Sequence, residues 1–165
     1  MNLSDVNKAI RKCKLCEQAR VCTDFGPIPG EGNPKAKVMI ISSPSLDMIS
    51  PTDGMNGIYL DHWFNKLKID KNQIYITLSL KCAVTRNVTQ KIKNTCANWA
   101  LYEYELIKPK AVFVFGKPSK NVAEKLIKNG ALVYYYEDSL HYLSSKKQTQ
   151  ACEDIFIKMK EFTNV

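Results

Sequence analysis

The sequence has no long apolar run and only six cysteines. Its longest apolar stretches, residues 38–41 and 111–115, are strand-sized and far below the ~20 residues that cross a bilayer, which excludes a membrane protein. Six cysteines in 165 residues are too few for a small secreted scaffold built on disulfides. No apolar run begins the chain as a signal peptide would, so we expect an intracellular protein, either cytoplasmic or nucleoid-associated.

The composition indicates a folded and basic domain. Hydrophobic residues make up 45% of the chain, which is too many for a disordered protein. Twenty-four Lys and Arg against 16 Asp and Glu give a formal net charge of +8, and this excess favours a polyanionic partner such as nucleic acid. The length predicts one domain that spans residues 1–165.

Strand-like and helical segments alternate along the chain. Strands joined by helical crossovers pair in parallel, and buried parallel strands read as continuous apolar runs. The pattern therefore predicts an α/β fold, a three-layer α/β/α sandwich around a central, mostly parallel four-stranded sheet. The predicted strands are 37–41, 73–80, 111–115 and 132–136, and the predicted helices are 4–14, 57–68, 88–107, 119–129 and 147–162.

The loops after these strands are the expected location of a binding site. Ligands of open parallel sheets bind beyond the carboxyl ends of the strands. We therefore expect one cleft, lined by residues 42–56, 80–88, 116–119 and 138–146.

Four of the cysteines have a spacing that indicates a metal centre. Two residues separate Cys13 from Cys16, whereas thirteen separate Cys82 from Cys96. Zinc sites usually bring a second close pair, while a four-iron cluster accepts widely spaced thiolates, so the spacing favours iron-sulfur over zinc. A thioredoxin-like pair is disfavoured because Cys13 precedes the first strand. Four buried free thiols are the remaining alternative.

The order of the motifs carries a further signal. Arg20 follows the cysteine pair, a Gly-Glu-Gly-Asn-Pro run occupies residues 30–34, and the second strand leads directly into Lys81 and Cys82. Over nearly the whole chain this order resembles the iron-sulfur uracil-DNA glycosylases, the fourth family of that superfamily. The resemblance implies their fold, DNA bound without sequence specificity, and a [4Fe-4S] cluster ligated by Cys13, Cys16, Cys82 and Cys96.

The positions that perform catalysis in that family are changed in this chain. Ser42 stands where the family has the Glu that acts on the hydrolytic water, Thr52 replaces the Phe that stacks on uracil, and Leu78 replaces the Asn that pairs with its edge. A late histidine is kept as His141. Since losing a single preorganised electrostatic group lowers a rate about 10²–10³-fold, the resemblance implies that base excision is weak or lost.

A working glycosylase with a rearranged pocket is the alternative. Asp47 and Asp53 lie in the loop after the first strand and could replace the missing Glu, with His141 as the third candidate catalytic residue. Against this, an Asp among Ser, Pro and Gly usually forms a turn with its own backbone.

DNA binding is the property that an inactive pocket could keep. Side chains of the cleft loops and backbone amides at a helix start can contact phosphates. By analogy with other altered superfamily members, the chain would be an accessory factor in replication or repair, beside a polymerase or another repair protein. A protein–protein interaction module whose fold is stabilised by a cluster or by zinc is a third possibility. The predicted DNA contacts are Ser45, Lys81, Lys117, Ser119, His141, Lys146 and Lys147.

Overall fold

A computed structural model shows the fold and describes residues 1–16, 26–44, 49–82, 88–145 and 150–164. Within these ranges the elements follow one another in chain order as α1 (Leu3–Arg11), β1 (Glu31–Gly32), β2 (Val38–Ser42), α2 (Met55–Leu67), β3 (Ile74–Leu78), α3 (Gln90–Ile107), β4 (Ala111–Phe115), α4 (Lys120–Lys128), β5 (Val133–Tyr136), α5 (Leu140–Ser145) and α6 (Gln150–Thr163).

The strands form one sheet in the order β1-β3-β2-β4-β5. Strands β2 to β5 run parallel, which confirms the four parallel strands that the apolar runs predict. The short strand β1 is an addition at the edge, antiparallel to β3, with Glu31 opposite Ile76. Its Gly- and Pro-rich surroundings predict a loop, and β1 is a strand only through this pairing.

Helices cover both faces of the sheet. Ile40 of β2 belongs to the core beneath α2, α5 and α6, whereas its neighbour Met39 faces α1, α3 and α4. On the first face Phe156 of α6 stacks on Trp63 of α2 with ring centroids 5.4 Å apart. The predicted three-layer sandwich is therefore confirmed.

The helix ends differ in part from the prediction. Helix α1 begins one residue before its predicted start, with Asn2 as its cap: the Asn2 side-chain oxygen accepts a hydrogen bond from the Asp5 amide (2.9 Å), and the Asp5 carboxylate accepts one from the Asn2 amide (3.1 Å). Helix α5 occupies a segment predicted as loop and begins after Ser139, whose hydroxyl accepts a hydrogen bond from the Tyr142 amide. None of the described helices is long and apolar enough to cross a membrane.

A buried ion pair joins the end of β3 to α3. Lys81 is 1% exposed and Glu103 is 0% exposed, and Lys81 Nζ lies 2.5 Å from Glu103 Oε1. The ammonium also donates to Thr77 Oγ1 (2.5 Å) and the Leu78 carbonyl (2.8 Å). Glu103 Oε2 accepts hydrogen bonds from the hydroxyls of Thr77 and Tyr75. Three acceptors match the three ammonium hydrogens, and this saturation offsets the desolvation of both charges.

We expect Glu103→Gln to lower the free energy of unfolding by about 3–5 kcal/mol, because it leaves the Lys81 ammonium buried without its counter-charge. Urea unfolding measures this loss. The double variant Lys81→Met/Glu103→Leu removes both charges and should recover most of it. Glu105→Gln, at an exposed position of the same helix, is the matched control. A double variant as unstable as Glu103→Gln would contradict this account.

Candidate functional site

A cavity of about 470 Å³ opens at the carboxyl ends of β2, β4 and β5. Strand β2 is followed in the chain by β3, which lies next to it on one edge, and later by β4, which lies next to it on the opposite edge. Open α/β sheets bind ligands where the strand order reverses in this way. Ser43 and Pro44 line the cavity after β2, residues 116–118 after β4, and Glu137, Asp138 and His141 after β5, while Asn56 reaches it from α2.

Three of the four loops that predict a cleft therefore meet at this cavity. Among the described residues, the segment after β3 contributes none to its lining. Instead it lies beneath the cavity: Ser119 Oγ donates to Ser79 Oγ at 2.8 Å and lies 3.1 Å from Ser43 Oγ. Gly116 permits this close packing because its φ is +96° and a Cβ there would overlap the Ser43 hydroxyl.

Two carboxylates in the cavity were not singled out by the sequence interpretation. Glu137 and Asp138 are exposed, follow β5 directly and share the cavity with His141. Their place just beyond a strand end is the available signal, whereas the predicted carboxylates all lie in the loop after β2.

Asp53, one of the predicted catalytic carboxylates, does not line the cavity that holds His141. Its carboxylate accepts hydrogen bonds from the Ile49 amide (2.6 Å), the Ser50 amide (2.9 Å) and the Ser50 hydroxyl (3.0 Å). Partial burial acts to raise the pKa of Asp53, but these bonds outweigh it and lower the pKa below its ordinary value. Asp53 thus forms the turn and lines a separate cavity of about 600 Å³ beside β1. The assignment of Asp53 as a catalytic partner of His141 is therefore corrected. Asp47, the other candidate carboxylate, lies outside the described residues.

The three positions at which the resemblance implies altered catalytic residues are also absent from the cavity lining. Ser42 is 1% exposed, and its hydroxyl is enclosed without a hydrogen-bond partner among the described residues. Leu78 is fully buried. Thr52 lines the second cavity, where its hydroxyl donates to Glu31 Oε1 at 2.5 Å. The cavity that holds His141 therefore receives no carboxylate, ring or amide from these positions.

The four predicted metal ligands are not all free thiols. Cys13, Cys16 and Cys96 are free thiols, whereas Cys82 is disulfide-bonded. Burial raises the pKa of Cys96; hydrogen bonding and charge from Lys81 oppose this, and the charges of Cys13 and Cys16 add to it. Cys13 and Cys16 are thus each within electrostatic range of Cys96. In the part of the chain that the structure describes, no three Cys, His, Asp or Glu side chains are grouped to hold one metal ion.

The predicted DNA contacts divide into three groups. Lys117 and His141 are exposed and line the cavity. Lys81 belongs to the buried ion pair and Ser119 is 0% exposed, so neither side chain can reach a phosphate, and both assignments are corrected. The remaining three, Ser45, Lys146 and Lys147, lie outside the described residues.

The chain matches a known protein family. The family model of the uracil DNA glycosylase superfamily matches residues 29–159, a range that includes the whole sheet and every residue of the cavity. No curated protein matches the chain. A match of this extent, together with the parallel sheet and the cavity at its carboxyl edge, shows that the chain belongs to the uracil DNA glycosylase superfamily.

Proposed function

We propose that this chain is an intracellular DNA-binding protein that carries a [4Fe-4S] cluster and excises bases weakly or not at all. It would bind DNA of any sequence as an accessory factor in replication or repair, in contact with a polymerase or another repair protein. The observation that carries the proposal is the position of Ser42, Thr52 and Leu78, none of which lines the cavity that holds His141.

Superfamily membership and charge support the DNA-binding part. The net charge of +8 attracts phosphates, and each phosphate that a cation neutralises releases counterions. Lys117 places one such cation at the cavity, directly after β4. The predicted contact surface is therefore the carboxyl edge of the sheet.

Weak excision follows from what glycosidic cleavage demands. The reaction passes through an oxocarbenium-like transition state, which needs a carboxylate near the sugar and donors for the departing base. Ser42 supplies no charge, and its hydroxyl is enclosed by protein. The cavity can therefore hold a ligand while lacking the group that would orient water from β2.

A working glycosylase is the second candidate function, and one observation favours it. Glu137 and Asp138 bring two carboxylates to the same cavity as His141. If either orients water, the catalytic carboxylate has moved from the end of β2 to the end of β5.

Two hydrogen bonds to the predicted cysteine ligands support the cluster part of the proposal. Cys96 Sγ accepts a hydrogen bond from the Lys81 amide (3.2 Å), and Cys13 Sγ accepts one from Trp99 Nε1 (3.3 Å). Such donors stabilise thiolate charge at iron-sulfur centres. Binding would require that Cys82 be reduced, because the thiolate is the form that ligates metal. It would also require that the cysteines come closer together than they lie among the described residues. With Cys16 as the remaining ligand, the bound cluster would tie the segments after α1 and β3 to α3.

Protein purified without oxygen should be brown and contain about four iron and four sulfide per chain. Cys96→Ala removes one ligand, so its iron content should fall by more than half. Cys152→Ala is the control, since Cys152 is buried in the core under α6 and should leave the iron content unchanged. Colourless protein with zinc, or full iron content in Cys96→Ala, would contradict the cluster.

Excision is tested with single- and double-stranded DNA containing uracil, hypoxanthine or xanthine. We expect no base release above the uncatalysed background, because the cavity lacks the carboxylate at position 42. Glu137→Gln and Asp138→Asn are compared with Asp53→Asn, whose carboxylate belongs to the other cavity. Turnover that Glu137→Gln or Asp138→Asn abolishes, and that Asp53→Asn retains, would establish the second candidate instead.

A further inference from the structure

The positive charge of the described helices is concentrated on one face of the sheet. Helices α1, α3 and α4, with residues 12–14 that follow α1, carry nine Lys and Arg against three exposed carboxylates. Their remaining carboxylate, Glu103, is buried in the ion pair with Lys81. Helices α2, α5 and α6, with the Lys68 that ends α2, carry four lysines and four carboxylates. The layer of α1, α3 and α4 is therefore basic, whereas the opposite layer is balanced.

Helices α3 and α4 lie side by side on the basic layer and run in the same direction. Asn121 Nδ2 donates to Asn94 Oδ1, and Lys125 Nζ donates to Asn98 Oδ1, each at 2.5 Å. In both contacts the two residues are 27 positions apart in the chain. A step of four residues along one helix is thus matched by a step of four along the other, and the outer sides of the two helices form one continuous surface.

An exposed tyrosine lies on this surface beside the cations of α4. Tyr102 lies one turn after Asn98 in α3 and is 54% exposed. Lys128 lies one turn after Lys125 in α4 and is also exposed. Because Asn98 and Lys125 are in contact and the helices run in the same direction, Tyr102 and Lys128 occupy neighbouring positions.

Cations also flank Tyr102 on the side of α1. The ring of Tyr102 contacts that of Trp99, with 6.0 Å between the ring centroids. Trp99 Nε1 donates to Cys13 Sγ at 3.3 Å, and the residues on either side of Cys13 in the chain are the exposed Lys12 and Lys14. The basic layer therefore presents an aromatic ring with lysines on both sides of it.

An aromatic ring between cations is the arrangement with which proteins bind single-stranded nucleic acids. The cations neutralise phosphates and release counterions, while the ring stacks on a base of any identity. The bases of a duplex are stacked on one another and do not reach a ring on a helix surface without being extruded. An acidic protein surface would pair with the lysines and leave the ring unused. Single-stranded nucleic acid is therefore the partner that uses both groups.

We propose that the layer of α1, α3 and α4 is a binding surface for single-stranded nucleic acid, on which Tyr102 stacks on a base and the flanking lysines contact phosphates. This inference rests on the proposed DNA-binding function and adds to it a second surface, located on a helical layer and not at the carboxyl edge of the sheet. Stacking on Tyr102 does not depend on which base is present, so it requires no sequence specificity.

Fluorescence anisotropy tests the stacking contact with two labelled single strands of about eight nucleotides. One strand is oligothymidylate, and the other has the same number of phosphates but tetrahydrofuran abasic residues at its central positions. We expect the first strand to bind about tenfold more tightly. Tyr102→Ala should abolish that difference, and Tyr102→Phe should keep it. Ile157→Ala, at an exposed apolar position of the opposite layer, is the control and should also keep it.

The salt dependence of binding tests the lysines. Lys91 lies three turns before Tyr102 on the same side of α3 and is exposed, as is Lys128. Lys91→Gln/Lys128→Gln should reduce the slope of log K against log[salt] by about 1.4, because each phosphate contact of a single strand contributes about 0.7. Lys66→Gln/Lys160→Gln removes two lysines of the opposite layer and should leave the slope unchanged.

The two measurements separate the possible failures. If the unaltered protein binds neither strand in a salt-dependent way, the proposed DNA binding fails, and the basic layer as its second surface fails with it. If the protein binds both strands equally, if Tyr102→Ala keeps the preference, or if Lys91→Gln/Lys128→Gln keeps the slope, DNA binding stands and the proposed surface is refuted. An unchanged affinity of Tyr102→Ala for the abasic strand shows that this variant is folded.

Discussion

The buried pairing of Lys81 with Glu103 constrains more of this molecule than any other single contact described above. Through its side chain Lys81 is held to α3, through its amide it donates to Cys96 Sγ, and through its carbonyl it accepts a hydrogen bond from the Ile28 amide at 2.5 Å. Separating the two charges would leave both uncompensated in the interior. The segment that carries Cys82 therefore keeps one position relative to Cys96, whether or not a metal is bound.

The order of the strands determines where ligands can reach the molecule. Because β2 lies between β3 and β4, with all three parallel, the loops after β2 and β4 diverge and leave a crevice between them. Gly116 allows the loop after β4 to approach Ser43 closely, and the start of α2 brings Asn56 to the same place. The polar groups of the cavity thus come from segments far apart in the chain.

Much of the fold could be predicted from the sequence because the parallel strands are buried on both faces and read as apolar runs. Ala111–Phe115 was predicted without error for this reason. Strand β1 and helix α5 could not be, since β1 exists only through its pairing with β3 and α5 has six residues, two of them serine. Local patterns are weak where tertiary contacts decide the structure.

The site was less predictable, again because it depends on contacts between residues that are far apart in the sequence. Lys81 reads as a surface cation until its partner Glu103, twenty-two positions away, is known. Asn56 has no distinctive sequence context, and only the packing of α2 against the sheet edge shows that its amide is buried at a cavity. The turn chemistry of Asp53, by contrast, is local, and its Ser- and Gly-containing surroundings already indicated it.

The hydrogen bonds among the serine hydroxyls beside the cavity have a defined donor-to-acceptor direction. Ser119 Oγ gives its single hydrogen to Ser79 Oγ, so in its contact with Ser43 it can only accept. The Ser43 hydrogen is consequently turned inward, toward Ser119 or the Phe115 carbonyl, and lone pairs are left on the side of the cavity. At this point the wall is an acceptor, which selects for molecules that offer a hydrogen there and against those that offer an oxygen.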